Sequence, residues 1–336
     1  MRRVERNLPA NRIGRQSCKE ERMAAGGPPR TFDEIRERAL EYGGSHGKAR
    51  LGIAAAWDPC ALEAAKGAFD LGLIEPVLIG ERESIEVAAG DEEIDISGWE
   101  VVEAEGSLGA AARTIELVRN DDLDFIMKGK IQTADLMRAA LNRETGIRAG
   151  KLMSHLALLW TPTFGRILGL SDGGIVLSPD VQKKADIIRN SVDAMHKLGW
   201  DKPNVAVICG LELVNPAMPC TVDADELAKM SQRGEIEGCI VDGPFGFDNA
   251  ISEVAAARKG VESPIAGKAD LVIVPEIEVG NVLYKGLVFM TEGVRTAGVL
   301  LGARIPIVMV SRSDGSDAKL NAIAVGAVIA HASKGH

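Results

Sequence analysis

The chain has 336 residues, of which 46% are hydrophobic and 26% charged, an ordinary balance for a globular protein. That length is enough for two domains of usual size. The net charge of −9 argues against nucleic acid as the main partner, and no apolar run approaches the roughly 20 residues of a membrane span.

Residues 1–30 carry seven arginines, and no apolar segment follows them, so they do not resemble a secretory signal. We expect either a disordered tail over residues 1–30 or an upstream start codon, with Met23 as the true first residue. The five cysteines show no metal-ligand spacing and predict reduced thiols in a cytoplasmic protein. They are Cys18, Cys60, Cys209, Cys220 and Cys239.

Capping and turn signals predict alternating helices and strands from residue 31 onward. Thr31 can cap the first helix, and Asp58-Pro59 is typical of the start of the second. Strand, helix and strand at this spacing predict a βαβ unit and a parallel sheet. The predicted helices of this half cover residues 32–42, 60–71, 107–120 and 134–141, and the strands cover 49–56, 76–80, 100–104 and 123–127.

The same alternation continues to the end of the chain. Pro179-Asp180 begins a long helix, and residues 215–221 are predicted as a loop. The segment GPFGFDNAIS after Asp242 is predicted as a glycine-rich loop that leads into a helix. The whole pattern predicts an α/β fold with a mostly parallel sheet in two lobes. The further strands cover residues 152–160, 166–170, 174–177, 205–209, 240–242, 270–275, 299–301 and 306–310, and the further helices cover 179–198, 222–233, 281–290 and 319–332.

The segment 125–141 combines a strand end, a cationic glycine turn and a helix start. Gly129 permits a close backbone approach, Thr133 is the predicted N-cap, and Lys128 adds a full positive charge. A turn of this kind favours an anion such as phosphate or carboxylate. The other interpretation is an ordinary strand–helix connection with a solvated lysine.

Several polar residues fall at predicted strand ends or at the next helix start. Ligands of open α/β sheets bind beyond the carboxyl ends of strands, so this shared location predicts a site. His155 is the one histidine inside a core segment and is more often structural or substrate-orienting than a metal ligand. No Walker A motif, no GxGxxG after the first strand and no Ser/His/Asp triad is found. The residues at strand ends are Lys128, Asp172, Asn215, Asp242, Asn281 and Ser311.

The segment VSRSDGSD near the carboxyl end places a hydroxyl and a guanidinium beside two carboxylates. Arg312 can hold phosphate oxygens with two hydrogen bonds, Ser311 can donate another, and Asp314 or Asp317 can act as a general base. The alternative is a capping turn, in which Asp317 caps the last helix and Arg312 forms a surface ion pair.

The succession IMKGKIQTADLMRAAL, KLMSHLALL, SDGGIVLSPDVQKKADIIRNSVDAMHKLG, VNPAMPCT, DGPFGFDNAIS, AGKADLVIVPEIEVGN and GARIPIVMVSRSD resembles the phosphate acetyltransferase/phosphate butyryltransferase family, closest to the butyryl branch. The resemblance covers roughly residues 32–336. It implies a two-domain, three-layer fold like that of isocitrate and isopropylmalate dehydrogenases, with domain I over 31–158 and 299–336 and domain II over 159–298. It also implies a homodimer with its site in the interdomain cleft.

The resemblance implies reversible transfer of an acetyl, propionyl or butyryl group between coenzyme A and inorganic phosphate. No metal and no cofactor beyond coenzyme A as substrate is expected. In the implied mechanism, Asp317 removes the thiol proton in a ternary complex, the thiolate attacks the acyl carbon, and Ser311 and Arg312 stabilise the departing phosphate. The expected substrate-binding residues are Lys128, Gly129, Thr133, Arg148, Ser154, His155, Asp172, Asn215, Asp242, Asn281 and Arg304.

This chain departs from the family pattern at two positions. The acetyl branch has its base seven residues after the serine, where this chain has Ala318; Asp317 stands where the butyryl branch has a carboxylate, and Asp314 is the second candidate. Val176 replaces a usual asparagine. Two other functions therefore stay open: a degenerate protein that binds coenzyme A or phosphate without turnover, and a metal-dependent hydroxy-acid dehydrogenase of the same fold.

Overall fold

The computed structural model describes residues 27–309 and 315–335. Its first half alternates helices with the strands of a parallel sheet. The elements in chain order are α1 (Phe32–His46), β1 (Ala49–Ala54), α2 (Pro59–Asp70), β2 (Ile74–Gly80), α3 (Arg82–Asp91), β3 (Glu100–Glu103), α4 (Gly106–Arg119), β4 (Phe125–Lys128), α5 (Thr133–Ala140) and β5 (Ser154–Trp160).

The second half continues this alternation and ends with a long buried helix. Its elements are β6 (Ile167–Ser171), α6 (Val181–Leu198), β7 (Asn204–Ile208), α7 (Pro219–Gln232), β8 (Ile240–Phe245), α8 (Phe247–Ile251), α9 (Glu253–Lys259), β9 (Leu271–Ile273), α10 (Ile277–Met290), β10 (Arg295–Leu301), β11 (Ile307–Val308) and α11 (Ser316–Ser333).

Three of the predicted helix starts are confirmed by their caps. Thr31 accepts a hydrogen bond from the Glu34 amide, Asp58 from that of Ala61, and Asp180 from that of Lys183. Each side-chain oxygen satisfies an amide that has no partner inside its own helix. Local sequence therefore sets where α1, α2 and α6 begin.

Other local predictions were wrong, and packing or hydrogen bonding explains them. Residues 174–177 form bends rather than a strand, since the Asp172 carboxylate accepts the amides of Gly174 and Ile175 that a ladder would need. Thr133 is the first helical residue of α5, and Gln132 precedes it without a side-chain cap. Helix α3 was not predicted, and β8 continues through the predicted glycine-rich loop to Phe245.

One sheet contains all the strands described, in the order β3-β2-β1-β4-β11-β10-β5-β6-β9-β7-β8. The pairs β5–β6, β5–β10 and β10–β11 are antiparallel and the others are parallel. The sheet is therefore mostly parallel, as predicted, but it consists of two parallel groups that run in opposite directions on either side of β5 and β10.

The two groups occupy opposite halves of the β5–β10 pair. β11 pairs with β10 at Val299 and Leu300, whereas β6 pairs with β5 from Ala157 to Trp160. Since Leu300 lies opposite His155, these are different ends of the same ladder. The carboxyl ends of both groups therefore converge near the middle of β5 and β10.

Helices cover both faces of the sheet and form three layers. On one face a single core runs across both strand groups and includes α11, whose buried side chains surround the helix on all sides. On the other face the core is divided into two clusters, one under α4 and α5 and one under α8 and α10. The predicted domain boundaries at residues 158 and 298 fall within β5 and β10, and the two-domain division stays a prediction.

Within the described chain, no helix is both long enough and apolar enough to cross a bilayer.

Candidate active site

Two cavities meet at Lys128, where the carboxyl ends of the strand groups converge. The first, of about 390 Å³, lies between the ends of β4 and β11 and the first turns of α2, α4 and α11; we call it the lysine cavity. Its walls are Asp58, Cys60, Ser107, Met127, Lys128, Gly129, Lys130, Ile131, Gln132, Val308 and Lys319.

The second cavity, of about 290 Å³, lies between β5, the loop after β6 and the inner face of α10; we call it the histidine cavity. Lys128 belongs to both walls, so the cavities form adjoining parts of one site. The walls of the histidine cavity are Lys128, Thr133, His155, Ala157, Leu170, Gly173, Gly174, Ile175, Asn281, Tyr284, Lys285, Gly298 and Met309.

The turn after β4 is held against the end of β1 by backbone contacts. The Gly129 amide donates to the Ala54 carbonyl at 2.9 Å, and that of Lys130 donates to Ala55 at 2.8 Å. A Cβ at Gly129 would lie 2.3 Å from the Ala55 oxygen, so this approach requires glycine. The Lys128 ammonium donates to the Gly129 and Ile131 carbonyls at 3.2 and 3.0 Å, which fixes it at the junction of the cavities.

Asp172 organises the floor of the histidine cavity. Its side chain is buried, and one carboxylate oxygen accepts the amide of His155 at 2.8 Å. The other oxygen accepts the amides of Gly174 and Ile175 at 2.8 and 2.9 Å. Asp172 thereby joins the start of β5 to the loop after β6, and its acceptor capacity serves the backbone rather than a ligand.

The His155 imidazole lies between two glycines. A Cβ at Gly174 would stand 3.2 Å from the ring Cγ, and one at Gly298 would stand 2.9 Å from Nε2. Both positions therefore leave room for the ring beside the cavity. Gly280 similarly lets α10 approach Gly173, and the next turn of the helix brings Asn281, Tyr284 and Lys285 to the cavity wall.

Asp317 lies at the second position of α11, in a cluster of charges. Arg36 Nη2 contacts its carboxylate at 2.9 Å, Arg295 Nε at 3.6 Å and Asn321 Nδ2 at 3.4 Å. Asp33 pairs with both arginines. The Asp317 side chain is 60% exposed, and within the described residues it belongs to the wall of neither cavity. It does not cap α11, since the N-cap is Gly315.

Ser311, Arg312 and Asp314 lie outside the described residues. The described residues on either side of them border the site: Val308 and Lys319 line the lysine cavity, and Met309 lines the histidine cavity.

Five other predicted residues lie elsewhere. Arg148 pairs through its backbone with Ala303, and the Arg304 side chain pairs with Asp121 at 2.6 Å, both toward the amino ends of β4 and β11. Ser154 is buried and accepts a hydrogen bond from Asn190. The remaining two lie in the β7–β8 region: the Asn215 side chain accepts from the Ala217 amide, and Asp242 accepts from the Gly243 amide and the Ser263 hydroxyl.

Two described cysteines lie outside both cavities, in environments that disfavour the thiolate. Burial raises the pKa of the Cys209 thiol, whose Sγ donates to the Cys220 carbonyl. Burial also raises the pKa of Cys239, to about 11. Neither thiol is therefore suited to act as a nucleophile at neutral pH.

Residues 109–327 match the family model described as phosphate acetyl/butaryl transferase. The chain belongs to this family. It is 42% identical over 281 residues to a phosphate butyryltransferase from Clostridium acetobutylicum, which covers 84% of this chain and 93% of the relative. It is 41% identical over 294 residues to a phosphate acetyltransferase from Thermotoga maritima, covering 88% and 99%.

A solved branched-chain phosphotransacylase from Enterococcus faecalis has the same fold. It superimposes with a TM-score of 0.75 at 27% identity and covers 84% of this chain and 99% of its own. The predicted family and fold class are thereby confirmed. Similar identity to a butyryl and an acetyl relative shows that overall identity does not select the acyl group.

Sequence reasoning missed four cationic or aromatic residues that the fold brings to the site: Lys130, Tyr284, Lys285 and Lys319. Tyr284 and Lys285 follow Asn281 by three and four residues, so a helical projection from Asn281 would have found them. Lys319 lies in the first turn of α11, where a cation is disfavoured by the helix dipole. This unfavourable position of a lysine was the signal in the sequence that could have identified Lys319 as a site residue.

We expect Asp172→Asn to destabilise the protein more than Asp242→Asn. In Asp172→Asn, the new side-chain NH2 group replaces an oxygen that accepts hydrogen bonds from backbone N–H groups. Two donors then face each other, the hydrogen bond is lost, and we expect a loss of stability of about 1–3 kcal/mol. At position 242 the amide can donate to the Ser263 hydroxyl, which also accepts. Urea unfolding midpoints check this, and equal shifts in both variants would contradict the assigned role of Asp172.

Proposed function

We propose that this protein transfers a short-chain acyl group reversibly between coenzyme A and inorganic phosphate. The observation that carries the proposal is the pair of adjoining cavities, with Lys128 at their junction. Both substrates are anions, and this acidic chain gathers Lys128, Lys285 and Lys319 here. Cations that lie close together attract an anion even when the net charge of the whole protein is negative.

The reaction needs no covalent intermediate on the enzyme. With acyl phosphate as substrate, a carboxylate takes the proton of the coenzyme A thiol, and the thiolate sulfur forms a bond to the acyl carbon. The bond from that carbon to the phosphate oxygen breaks, and phosphate departs with the electron pair. We propose Asp317 as the base, with Ser311, Arg312 and Lys128 stabilising charge on the departing group.

The ion pairs of Asp317 restrict how this residue can act as the proposed base. Arg36 and Arg295 contact the carboxylate at 2.9 and 3.6 Å and hold it in one orientation. To receive the thiol proton, Asp317 must exchange part of this ion pairing for contact with the substrate. Its high exposure and position in the first turn of α11 leave the carboxylate accessible.

Of the alternatives, only the degenerate binder draws on an observation in this chain. Val176, which replaces the usual asparagine, packs against the hydrophobic core and offers no side-chain hydrogen bond. No group of three or more histidine, cysteine or acidic side chains suited to a metal is found within residues 27–309 and 315–335. Independence from metal stays a prediction.

We expect free thiol to be released from acetyl-, propionyl- or butyryl-coenzyme A when phosphate is added, including after dialysis against EDTA. A matched reaction without phosphate should release almost none, which separates transfer from hydrolysis. Binding without turnover on any of the three thioesters would favour the degenerate binder. Loss of activity after dialysis, restored by Mg²⁺, would overturn metal independence.

Asp317→Asn should lower turnover about 10²–10⁴-fold while leaving KM values nearly unchanged, because asparagine keeps the size but accepts no proton. Asp33→Asn is the matched control, since Asp33 pairs with the same two arginines but lies in α1. Steady-state rates with acyl phosphate and coenzyme A measure both effects.

The comparison separates chemistry from ion pairing. If Asp33→Asn reduces turnover as much as Asp317→Asn, the charge cluster acts structurally and Asp317 is not the base. If Asp317→Asn keeps most of its activity and Asp314→Asn loses it, the base lies on the other side of Gly315.

We also propose that two copies associate through the outer face of α10. In this helix only Gly280 is buried, while Val282, Phe289 and Met290 are 71%, 66% and 87% exposed. An apolar stripe of this kind is typical of a contact surface, and Asn281, Tyr284 and Lys285 of the same helix line the histidine cavity. Sedimentation velocity should show a dimer that Val282→Glu converts to a monomer; a monomeric wild type would refute this.

We further propose a cytoplasmic location. It is supported by the unpaired thiols of Cys60, Cys209, Cys220 and Cys239, which suit a reducing compartment. Recovery of the protein from an extracytoplasmic fraction after cell fractionation would contradict it.

A further inference from the structure

Lys319 is a buried lysine that points into the lysine cavity. Its side chain is only 9% exposed, and it lies in the first turn of α11. Within the described chain its ammonium makes no hydrogen bond, and its ion-pair partner is an Asp58 carboxylate oxygen 3.8 Å away. That same oxygen already accepts the Ala61 amide at 3.0 Å as the cap of α2.

This placement does not serve stability. Burial of an ammonium is costly unless hydrogen bonds and close charges compensate for lost water. A cation in the first turn of a helix also meets the positive end of the helix dipole. A residue that weakens the fold in two ways and faces a cavity is best explained by a ligand that supplies the missing acceptors.

The surroundings of Lys319 select an anion. Lys128 and Lys130 line the same cavity, and among the residues that the structure describes Asp58 is its one acidic wall residue. The first turns of α2 and α11, helices of 12 and 18 residues, also border it. Buried positive charge and helix N-termini together favour a compact anion with several oxygen acceptors.

The position of the lysine cavity indicates which anion it binds. Val308 and Lys319 line it, and between them the chain runs through Ser311 and Arg312. Of the two substrates of the proposed transfer, inorganic phosphate is the compact anion that such a cavity suits. The histidine cavity, with Ala157, Leu170 and Met309 in its wall, is the more apolar neighbour and suits an acyl chain.

We propose that Lys319, together with Lys128, forms the binding site for inorganic phosphate and for the phosphate end of the acyl phosphate. The proposal rests on the proposed acyl transfer and adds to it a residue and an orientation: phosphate in the lysine cavity and the acyl chain toward His155. Lys319 is thus a substrate-binding residue whose buried charge is satisfied when phosphate is present.

Lys319→Met and Lys319→Arg test this by isothermal titration with inorganic phosphate and, separately, with coenzyme A. Loss of one charged hydrogen-bond donor should weaken phosphate binding by about 10–100-fold in the methionine variant. The arginine variant should recover much of this affinity because it keeps the charge. Coenzyme A affinity should change less than about twofold, the scale of a lost interaction well below 1 kcal/mol.

Thermal unfolding supplies a readout that distinguishes binding from a structural role. Since the Lys319 ammonium makes no hydrogen bond within the described residues, Lys319→Met should melt no lower than wild type without phosphate, and phosphate should raise the melting temperature of wild type more than that of the variant. Lys66→Met, which removes a surface lysine paired with Asp70 on α2, is the matched control and should keep the wild-type response.

Alkylation of Cys60 locates the bound phosphate. Cys60 is exposed and lines the lysine cavity. Phosphate should slow its reaction with iodoacetamide in wild type, as followed by peptide mass mapping, and should have little effect in Lys319→Met.

The outcomes separate this proposal from the proposed function. Unchanged phosphate affinity in Lys319→Met would overturn the site, and so would a loss confined to coenzyme A, which would assign the lysine to phosphates of that substrate instead. If wild type binds phosphate through Lys319 but transfers no acyl group, the site stands and the proposed function fails.

Discussion

The antiparallel pairing of β5 with β10 is the contact on which the position of the candidate active site depends. These two strands lie between parallel groups of opposite direction, and each group pairs with a different half of the ladder. Because ligands of open α/β sheets bind beyond the carboxyl ends of strands, a single group would offer one edge for binding. Here two such edges face each other across the middle of β5 and β10, and the cavities lie between them.

Close backbone contacts then shape the site within this frame. Gly129 draws the turn after β4 against β1, and Gly174 and Gly298 leave space for the His155 ring. Asp172 joins the two walls through three backbone amides. Main-chain contacts of this kind have little freedom to adjust, so they hold the side chains of the cavity in place before a substrate arrives.

Charge is distributed differently from what the net value of −9 implies. Most arginines near the site are engaged in ion pairs, among them Arg36 and Arg295 with Asp33 and Asp317. Lys319, by contrast, lies 3.8 Å from its carboxylate partner Asp58 within the described residues. Burial of a lysine without close partners is costly, and the proposed phosphate would supply the acceptors that this ammonium lacks.

Sequence alone determined those features of this protein that depend on neighbouring residues. The caps at Thr31, Asp58 and Asp180 were predictable because a side chain satisfies an amide two or three residues away. The α/β alternation and the family motifs were equally visible, and three residues predicted from the sequence to bind substrate, Lys128, His155 and Asn281, line the histidine cavity. These signals depend on residues that are neighbours in the chain, or on the order in which the family motifs follow one another along it.

Only the tertiary structure decided which strand ends meet. Arg304 follows β10 and was predicted to bind substrate, yet it pairs with Asp121 because β10 runs opposite to β4 and β11. Asp242 lies within β8, since that strand continues to Phe245. Lys319 reaches the site because α11 begins where β4 and β11 end. Strand order and direction come from pairing between distant segments, which residue spacing does not encode.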